Sequence, residues 1–130
     1  MISLPLTSLI TLLVVLLMFA TALNVGRARG RYGIKAPAVT GHEMFERAFR
    51  VQMNTLELIV LLLPATYLAA TLWSPLYTAI SVAVYIVGRT IYWRAYMAEP
   101  KSRTLGFALS IGPILVLLVA SLISVARSML

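Results

Sequence analysis

A polar segment at residues 41–57 carries cations, carboxylates and amides in a chain that is 61% hydrophobic. Side chains of these types could bind a charged small molecule. Some of them recur at intervals of three or four residues, which places them in one stripe on a helix: Arg47, Arg50, Asn54 and Glu57. Gln52 lies about 200° from Arg50 at ~100° per residue. We therefore expect one face of this helix to line the interior of the bundle and the other to meet a neighbouring helix or subunit.

A second polar stripe follows the intervals i, i+4, i+7 and i+11: Tyr85, Arg89, Tyr92 and Tyr96. The tyrosines could instead form an aromatic belt at a membrane interface together with Trp93, and the spacing alone leaves that alternative open. Arg89 needs a further explanation, because a cation in a bilayer costs roughly 2.5 to 3.5 kcal/mol. We expect Arg89 to pair with a carboxylate, either Glu57 or Glu46.

Membrane helices must position these side chains. The mean hydropathy of the 130-residue chain is +0.94, whereas soluble domains are only about 45 to 50% apolar. Apolar runs of about 20 residues suffice to cross a bilayer core. The predicted fold class is all-α, an integral membrane four-helix bundle in one domain, 1–130, with helices at residues 4–23, 43–72, 76–97 and 104–126. The first run lacks a preceding cation and is long for a signal peptide, so we expect this helix to remain in the mature protein.

Glycine and proline mark the predicted connections. Gly26, Gly30, Gly33 and Pro37 are expected to break the chain after the first helix, and Thr40 to cap the second. Ser74-Pro75 is expected to form a tight turn between the second and third helices, and Glu99-Pro100 a short turn between the third and fourth. These short connections favour antiparallel neighbours.

Basic residues are distributed unevenly. Nearly all of those that give the net charge of +7 flank the first and third connections, and Arg127 alone is left for the opposite side. The excess of basic residues in cytoplasmic loops predicts that both basic connections are cytosolic and both termini lie outside. We expect contact with membrane lipids and no nucleic-acid partner, because no soluble domain presents these cations. The short chain favours a bacterial inner membrane.

Several kinds of active site are excluded. The chain has no cysteine and one histidine, His42, so we expect no metal site. The composition also offers no convincing Ser-His-Asp triad, and no glycine-rich phosphate loop occurs.

The ordered polar residues resemble the signature of the MAPEG family, the membrane-associated proteins in eicosanoid and glutathione metabolism. That family includes microsomal glutathione transferases and leukotriene C synthase. The resemblance covers roughly residues 26–105 and is carried by these residues: Arg27-Ala-Arg29, Gly41, Phe45-Glu46-Arg47, Phe49, Arg50-x-Gln52-x-Asn54-x-x-Glu57, Arg89-x-x-Tyr92-x-x-x-Tyr96 and Arg103.

The resemblance implies a homotrimer with glutathione, a co-substrate, bound between adjacent protomers. It implies that one protomer holds glutathione through Arg50, Asn54, Glu57, Tyr92 and Tyr96. Arg29 and Gln52 would reach the ligand from the next protomer. Arg103 would be the catalytic residue that stabilises the thiolate, and Arg89 would support the pocket. Leu58 stands where several relatives have a tyrosine, which removes one hydroxyl contact.

The chemistry of glutathione fits these residues. Its two carboxylates suit arginine and its ammonium suits Glu57. The predicted function is a membrane-bound glutathione transferase or peroxidase, which adds the thiolate to hydrophobic electrophiles or reduces lipid hydroperoxides. The alternative is a non-catalytic lipid-binding or scaffold protein of the same fold, in which the polar stripes only set the helix register. A channel is disfavoured because the polar residues cluster toward one side.

Overall fold

Four long helices make up nearly all of the computed structural model, which describes residues 4–130. They are α1 (Leu4–Tyr32), α2 (Glu43–Leu72), α3 (Pro75–Ala98) and α4 (Thr104–Ser128), and a short 3-10 helix (Pro100–Arg103) leads into α4. All four are long and apolar enough to cross a membrane, and the described range contains no strand. The prediction of an all-α fold with four helices able to span a membrane is confirmed. Residues 1–3 of the predicted domain lie outside the described range.

The first helix extends farther than we predicted. Gly26 and Gly30 lie inside α1, and neither has another atom within 4 Å of the point where a Cβ would lie. The helix continues to Tyr32 and stops before Gly33, whose φ is 68°. The predicted end at residue 23 was wrong because hydropathy detects only the apolar part of a helix. The arginine-rich end continues the same helix, since a single exposed glycine costs only about 1 kcal/mol.

The second helix begins with a different cap from the expected Thr40. His42 lies at the cap position, and its Nδ1 accepts a hydrogen bond of 3.1 Å from the backbone N–H of Met44. The imidazole also stacks on Tyr32, with 3.9 Å between ring centroids. His42 therefore joins the start of α2 to the end of α1 and has a structural role at this turn.

The apolar core lies where the four helices meet. Each helix contributes a side chain that is almost completely buried: Val14, Leu62, Val82 and Leu117. The outward faces carry large aliphatic side chains, as membrane-spanning helices require. The polar side chains described below are therefore exceptions on an apolar scaffold.

Both basic connections lie at the same end of the bundle. Arg47, near the start of α2, donates hydrogen bonds to the carbonyl groups of Met97 and Ala98 at the end of α3. These contacts place the start of α2 beside the end of α3. The side of the membrane on which this basic end lies remains a prediction.

Candidate functional site

A polar cleft of about 280 Å³ opens at the basic end of the bundle. Side chains from α2, α3, the 3-10 helix and the first turn of α4 line it: Arg50, Asn54, Tyr92, Tyr96, Arg103 and Phe107. All but Phe107 were predicted site residues. The fold therefore brings together five of the side chains that the sequence singled out, although they come from three separate helices.

Two tyrosines form one wall of the cleft. Tyr92 and Tyr96 are one helical turn apart on α3, and their rings stack with centroids separated by 5.6 Å. The guanidinium carbon of Arg103 is 5.9 Å from the centroid of Tyr96. An exposed cation and an aromatic face attract each other by roughly 0.5 to 1 kcal/mol. The tyrosine wall thus holds the cation of Arg103 at the cleft while leaving its N–H groups free to bind an anion.

Arg89 lies beside the cleft lining and is only 1% exposed. Its Nη1 donates a hydrogen bond of 2.8 Å to Oδ1 of Asn54, and its guanidinium carbon is 3.8 Å from the centroid of the Tyr92 ring. The expected pairing with a carboxylate was wrong. In the described part of the chain the single ion pair joins Arg47 to Glu43, and the partners of Arg89 are an amide oxygen and a ring face.

Asn54 connects this buried cation to an exposed carboxylate. While its Oδ1 accepts from Arg89, its Nδ2 donates to Oε2 of Glu57 over 3.3 Å. Glu57 is exposed and does not line the cleft. The carboxylate is thus next to the cleft and available to a ligand or to another subunit.

Two predicted site residues lie away from the cleft. Arg29, at the end of α1, donates a hydrogen bond of 2.7 Å to the carbonyl group of Ala38, and its guanidinium carbon is 4.8 Å from the Phe45 ring centroid. Gln52 is partly buried and absent from the cleft lining. One protomer therefore does not bring these two side chains to the others.

Phe107 is the cleft residue that our sequence reasoning missed. It lies four residues after Arg103 on α4, so helical spacing alone could have indicated that the two share a face. Its aromatic side chain adds an apolar surface next to the cation. The cleft consequently offers both a charged and an apolar contact at its α4 side.

A second cleft of about 550 Å³ lies toward the opposite end of the bundle. Aliphatic side chains of α4 form most of its lining, and the remaining lining residues are Trp73, Ser124 and Arg127. None of the predicted site residues lines this cleft. The candidate site is therefore the smaller polar cleft.

Comparisons with known proteins identify the family of this chain. The model of the MAPEG family matches residues 7–123. The chain is 42% identical over 118 residues to the uncharacterized protein sll1147 of Synechocystis, covering 91% of this chain and 86% of that protein. It is 36% identical over 109 residues to human microsomal glutathione S-transferase 2, covering 84% and 74%. It is 32% identical over 94 residues to bovine leukotriene C4 synthase, covering 72% and 63%. With four helices able to span a bilayer and a family match over most of its length, this chain is an integral membrane protein that belongs to the MAPEG family.

Proposed function

We propose that this protein is a membrane-bound glutathione transferase, which stabilises the glutathione thiolate and adds it to hydrophobic electrophiles from the bilayer. The polar cleft carries this proposal. Arg50 and Arg103 both line it, and in the described residues neither has a carboxylate within ion-pair distance. Unpaired guanidinium groups suit a ligand that brings two carboxylates of its own. The relatives named microsomal glutathione S-transferase support the same chemistry.

Glutathione would extend beyond the lining of the cleft. The cleft has a volume of about 280 Å³, which is just below the range of roughly 300 to 1,000 Å³ that is usual for small-molecule sites. Arg50 would bind a carboxylate, Asn54 and the two tyrosines would donate or accept hydrogen bonds, and the neighbouring Glu57 would bind the ammonium group. Arg89 would hold Asn54 and Tyr92 in place from below.

Arg103 would act on the sulfur. A free thiol has a pKa of about 8.5, and a nearby cation in a partly desolvated site lowers it. Lowering the pKa by about 2 requires about 2.7 kcal/mol of preferential interaction with the thiolate. An arginine side chain stays protonated at neutral pH, so Arg103 would act as a fixed charge and the thiol proton would leave to water.

The transfer step forms a carbon–sulfur bond. The thiolate attacks an electrophilic carbon while the bond from that carbon to its leaving group, or to an epoxide oxygen, breaks and takes the electron pair. With a lipid hydroperoxide as acceptor, two glutathione molecules would be oxidised to the disulfide, and the hydroperoxide would be reduced to an alcohol and water.

We further propose that the protein is a homotrimer with a glutathione site between each pair of protomers. Glu57 is exposed about 21 Å along α2 from its first residue, at 1.5 Å per residue, where an isolated subunit would present a carboxylate to lipid. Such exposure is costly, and a neighbouring protomer would cover it. Arg29 and Gln52, which lie away from the cleft of their own protomer, would then complete the site of the next.

The proposed function can be tested by titrating purified protein with glutathione while following the ultraviolet absorbance of the thiolate. We expect a saturable thiolate signal at neutral pH, and a loss of about 10- to 100-fold in thiolate fraction and conjugation rate in Arg103→Ala. Arg127→Ala removes a cation at the other end of α4 and should leave both unchanged. If the unmodified protein showed neither a thiolate signal nor conjugation, the proposed transferase activity would be refuted.

A non-catalytic scaffold makes the opposite predictions. Arg103→Ala would leave its function intact, and Arg50→Ala or Glu57→Ala would disrupt assembly with or without glutathione. Binding calorimetry together with size measurement in detergent separates the two functions.

A further inference from the structure

The helices α3 and α4 touch through two glycines, which we call the glycine seam (Gly88 and Gly106). A Cβ on Gly106 would lie 2.8 Å from the Cβ of Tyr92 and closer still to its backbone nitrogen and Cα. A Cβ on Gly88 would lie 2.6 Å from the carbonyl carbon and Cβ of Leu109. A real Cβ atom essentially never approaches another heavy atom this closely, so only glycine fits at these two positions without a shift of the helices. The two backbones are therefore in contact, and any side chain in the seam would force them apart.

The seam lies directly beside the residues that line the polar cleft. Arg103 precedes Gly106 by three residues, which places it on the same side of α4 about 4.5 Å along the axis. Tyr96 follows Tyr92, the residue that Gly106 touches, by one turn of α3. Two contacts between these segments therefore follow each other along the helix axis. Gly106 touches Tyr92, and one turn away Arg103 approaches Tyr96. The spacing of the helices at Gly106 determines where Arg103 lies relative to the cleft.

We propose that Gly106, supported by Gly88, is a positioning residue that sets the distance from Arg103 to the glutathione sulfur and thereby the fraction of bound glutathione present as thiolate. This inference rests on the proposed function. The glycines themselves touch no ligand, since they are buried between the helices. Their effect is transmitted through the spacing of α3 and α4.

The expected effect follows from Coulomb's law. A methyl group in the seam must move the helices apart by roughly 1 Å to restore carbon contacts of about 3.5 to 4.0 Å. Moving a unit charge from about 4 to about 5 Å from the sulfur, at an effective dielectric constant of about 20, raises the pKa of the bound thiol by about 0.6. That rise is a loss of about fourfold in thiolate at pH values below the thiol pKa.

The principal variant is Gly106→Ala, whose helix propensity is better than that of the glycine it replaces. The measurement is the pKa of the bound thiol, from ultraviolet absorbance against pH. We expect the pKa to rise by about 0.6, kcat to fall about fourfold at low pH and to recover at high pH. The Kd of glutathione should stay within about twofold, because Arg50 and Asn54 on α2 are unaffected.

Gly88→Ala is the second variant. It opens the same interface opposite Leu109, which lies six residues from Arg103. We expect about half the rise in thiol pKa, about 0.3, or a twofold loss of thiolate. This variant keeps the inference testable where Gly106→Ala does not assemble.

Two controls separate positioning from general loosening. Gly112→Ala makes the same change in the same helix, where no atom of another helix lies within 4 Å of a Cβ, and should leave the thiol pKa unchanged. Leu117→Ala removes a fully buried core side chain of α4, so it should lower the thermal midpoint without altering the thiol pKa.

The positioning role is overturned if every seam variant that assembles keeps the thiol pKa of the unmodified protein, or if Leu117→Ala raises that pKa as much as the seam variants do. A missing thiolate signal in the unmodified protein refutes the proposed function as well. A normal signal there with silent seam variants refutes only the positioning role.

Discussion

At the scale of single residues, Asn54 determines how charge is arranged beside the cleft. Its carbonyl oxygen accepts a hydrogen bond from Arg89, while its amide nitrogen donates to Glu57. An uncharged carboxamide offers an acceptor oxygen and a donor nitrogen on the same planar group. It can therefore satisfy a buried cation and an exposed carboxylate together. A leucine could do neither, and an aspartate could do only the first.

Two substitutions at position 54 should consequently differ. Asn54→Leu leaves the buried guanidinium of Arg89 without its side-chain acceptor, so we expect the free energy of unfolding to fall by about 1 to 3 kcal/mol. Asn54→Asp keeps that acceptor and loses only the contact with the exposed Glu57, so it should lose less stability than Asn54→Leu. Its added negative charge opposes the glutathione carboxylates, so we expect the Kd to rise about tenfold or more. Thermal unfolding in detergent and binding calorimetry measure the two effects.

Asn24→Leu on α1 is the matched control, because Asn24 lies outside the cleft lining. Equal losses of stability in the two Asn54 variants would contradict the role of the amide oxygen.

The same residues show what spacing can predict. Arg50 and Asn54 fall on one face of α2, and Tyr92 and Tyr96 on one face of α3, because helical periodicity is a local property of the chain. The partner of Arg89 belongs to another helix, so helix packing decides it. Charge complementarity favoured Glu57, whereas packing brings Arg89 to the amide three residues earlier in the chain. In contrast, the polar stripes of α2 and α3 can meet as soon as these two helices are neighbours, so their proximity could be predicted.

At the scale of helices, Arg47 ties the start of α2 to the end of α3. Its Nη1 donates to the carbonyl oxygens of Met97 at 3.0 Å and Ala98 at 2.9 Å, and its Nη2 pairs with Glu43. The last carbonyl groups of a helix lack partners within that helix, and a cation there also interacts favourably with the helix dipole. Arg47 therefore caps α3, although it belongs to the polar stripe that we predicted from spacing.

Removing this cap should destabilise the bundle without changing the chemistry of the cleft. We expect Arg47→Ala to lower the free energy of unfolding by about 1.5 to 3 kcal/mol, the value of one hydrogen bond to a charged donor, because a single nitrogen, Nη1, makes both contacts. Arg47→Lys should lose about half as much. Unfolding in detergent measures the loss, and glutathione titration should show an unchanged thiol pKa. Arg94→Ala, an exposed arginine of α3, is the control. A loss no larger than that of Arg94→Ala would contradict the capping role.

Element boundaries were less predictable than element types. Four apolar runs sufficed to identify four helices, because composition reports which segments can lie in hydrocarbon. The end of α1 was missed because its last turns leave the apolar region while remaining helical to Tyr32. The start of α2 depended on a side chain, His42, whose capping role was hidden by the more usual Thr40 two residues earlier.

At the scale of the whole molecule, the proposed glutathione site would be incomplete in the cleft of a single protomer. Arg29 and Gln52 lie away from it, and Glu57 is exposed at its edge. The two-sided polarity of α2 predicted a neighbour on its second face, but helical spacing cannot distinguish another helix of the same chain from another subunit. Within the described chain no side chain forms a hydrogen bond or an ion pair with Gln52. A shared site between protomers would supply its partner.

Co-expression of two inactive variants tests this sharing. One variant carries Arg103→Ala, and the other carries Arg29→Ala with Gln52→Ala. Suppose that each site takes Arg103 from one protomer and Arg29 with Gln52 from the next. A site is then intact only where the protomer that supplies Arg103 carries Arg29→Ala with Gln52→Ala, and the protomer that supplies Arg29 and Gln52 carries Arg103→Ala. In randomly mixed trimers this occurs at about a quarter of the interfaces.

We therefore expect the mixed preparation to regain about a quarter of the conjugation rate and of the thiolate absorbance of the unmodified protein, although each variant alone has almost none. Mixing the two purified homotrimers without exchange of subunits is the control and should restore nothing. A site confined to one protomer would also restore nothing in the co-expressed trimers, because every protomer then carries a lesion. Recovery of the conjugation rate therefore requires a site shared between two subunits. The size of the recovered rate measures whether the second face of α2 completes the site.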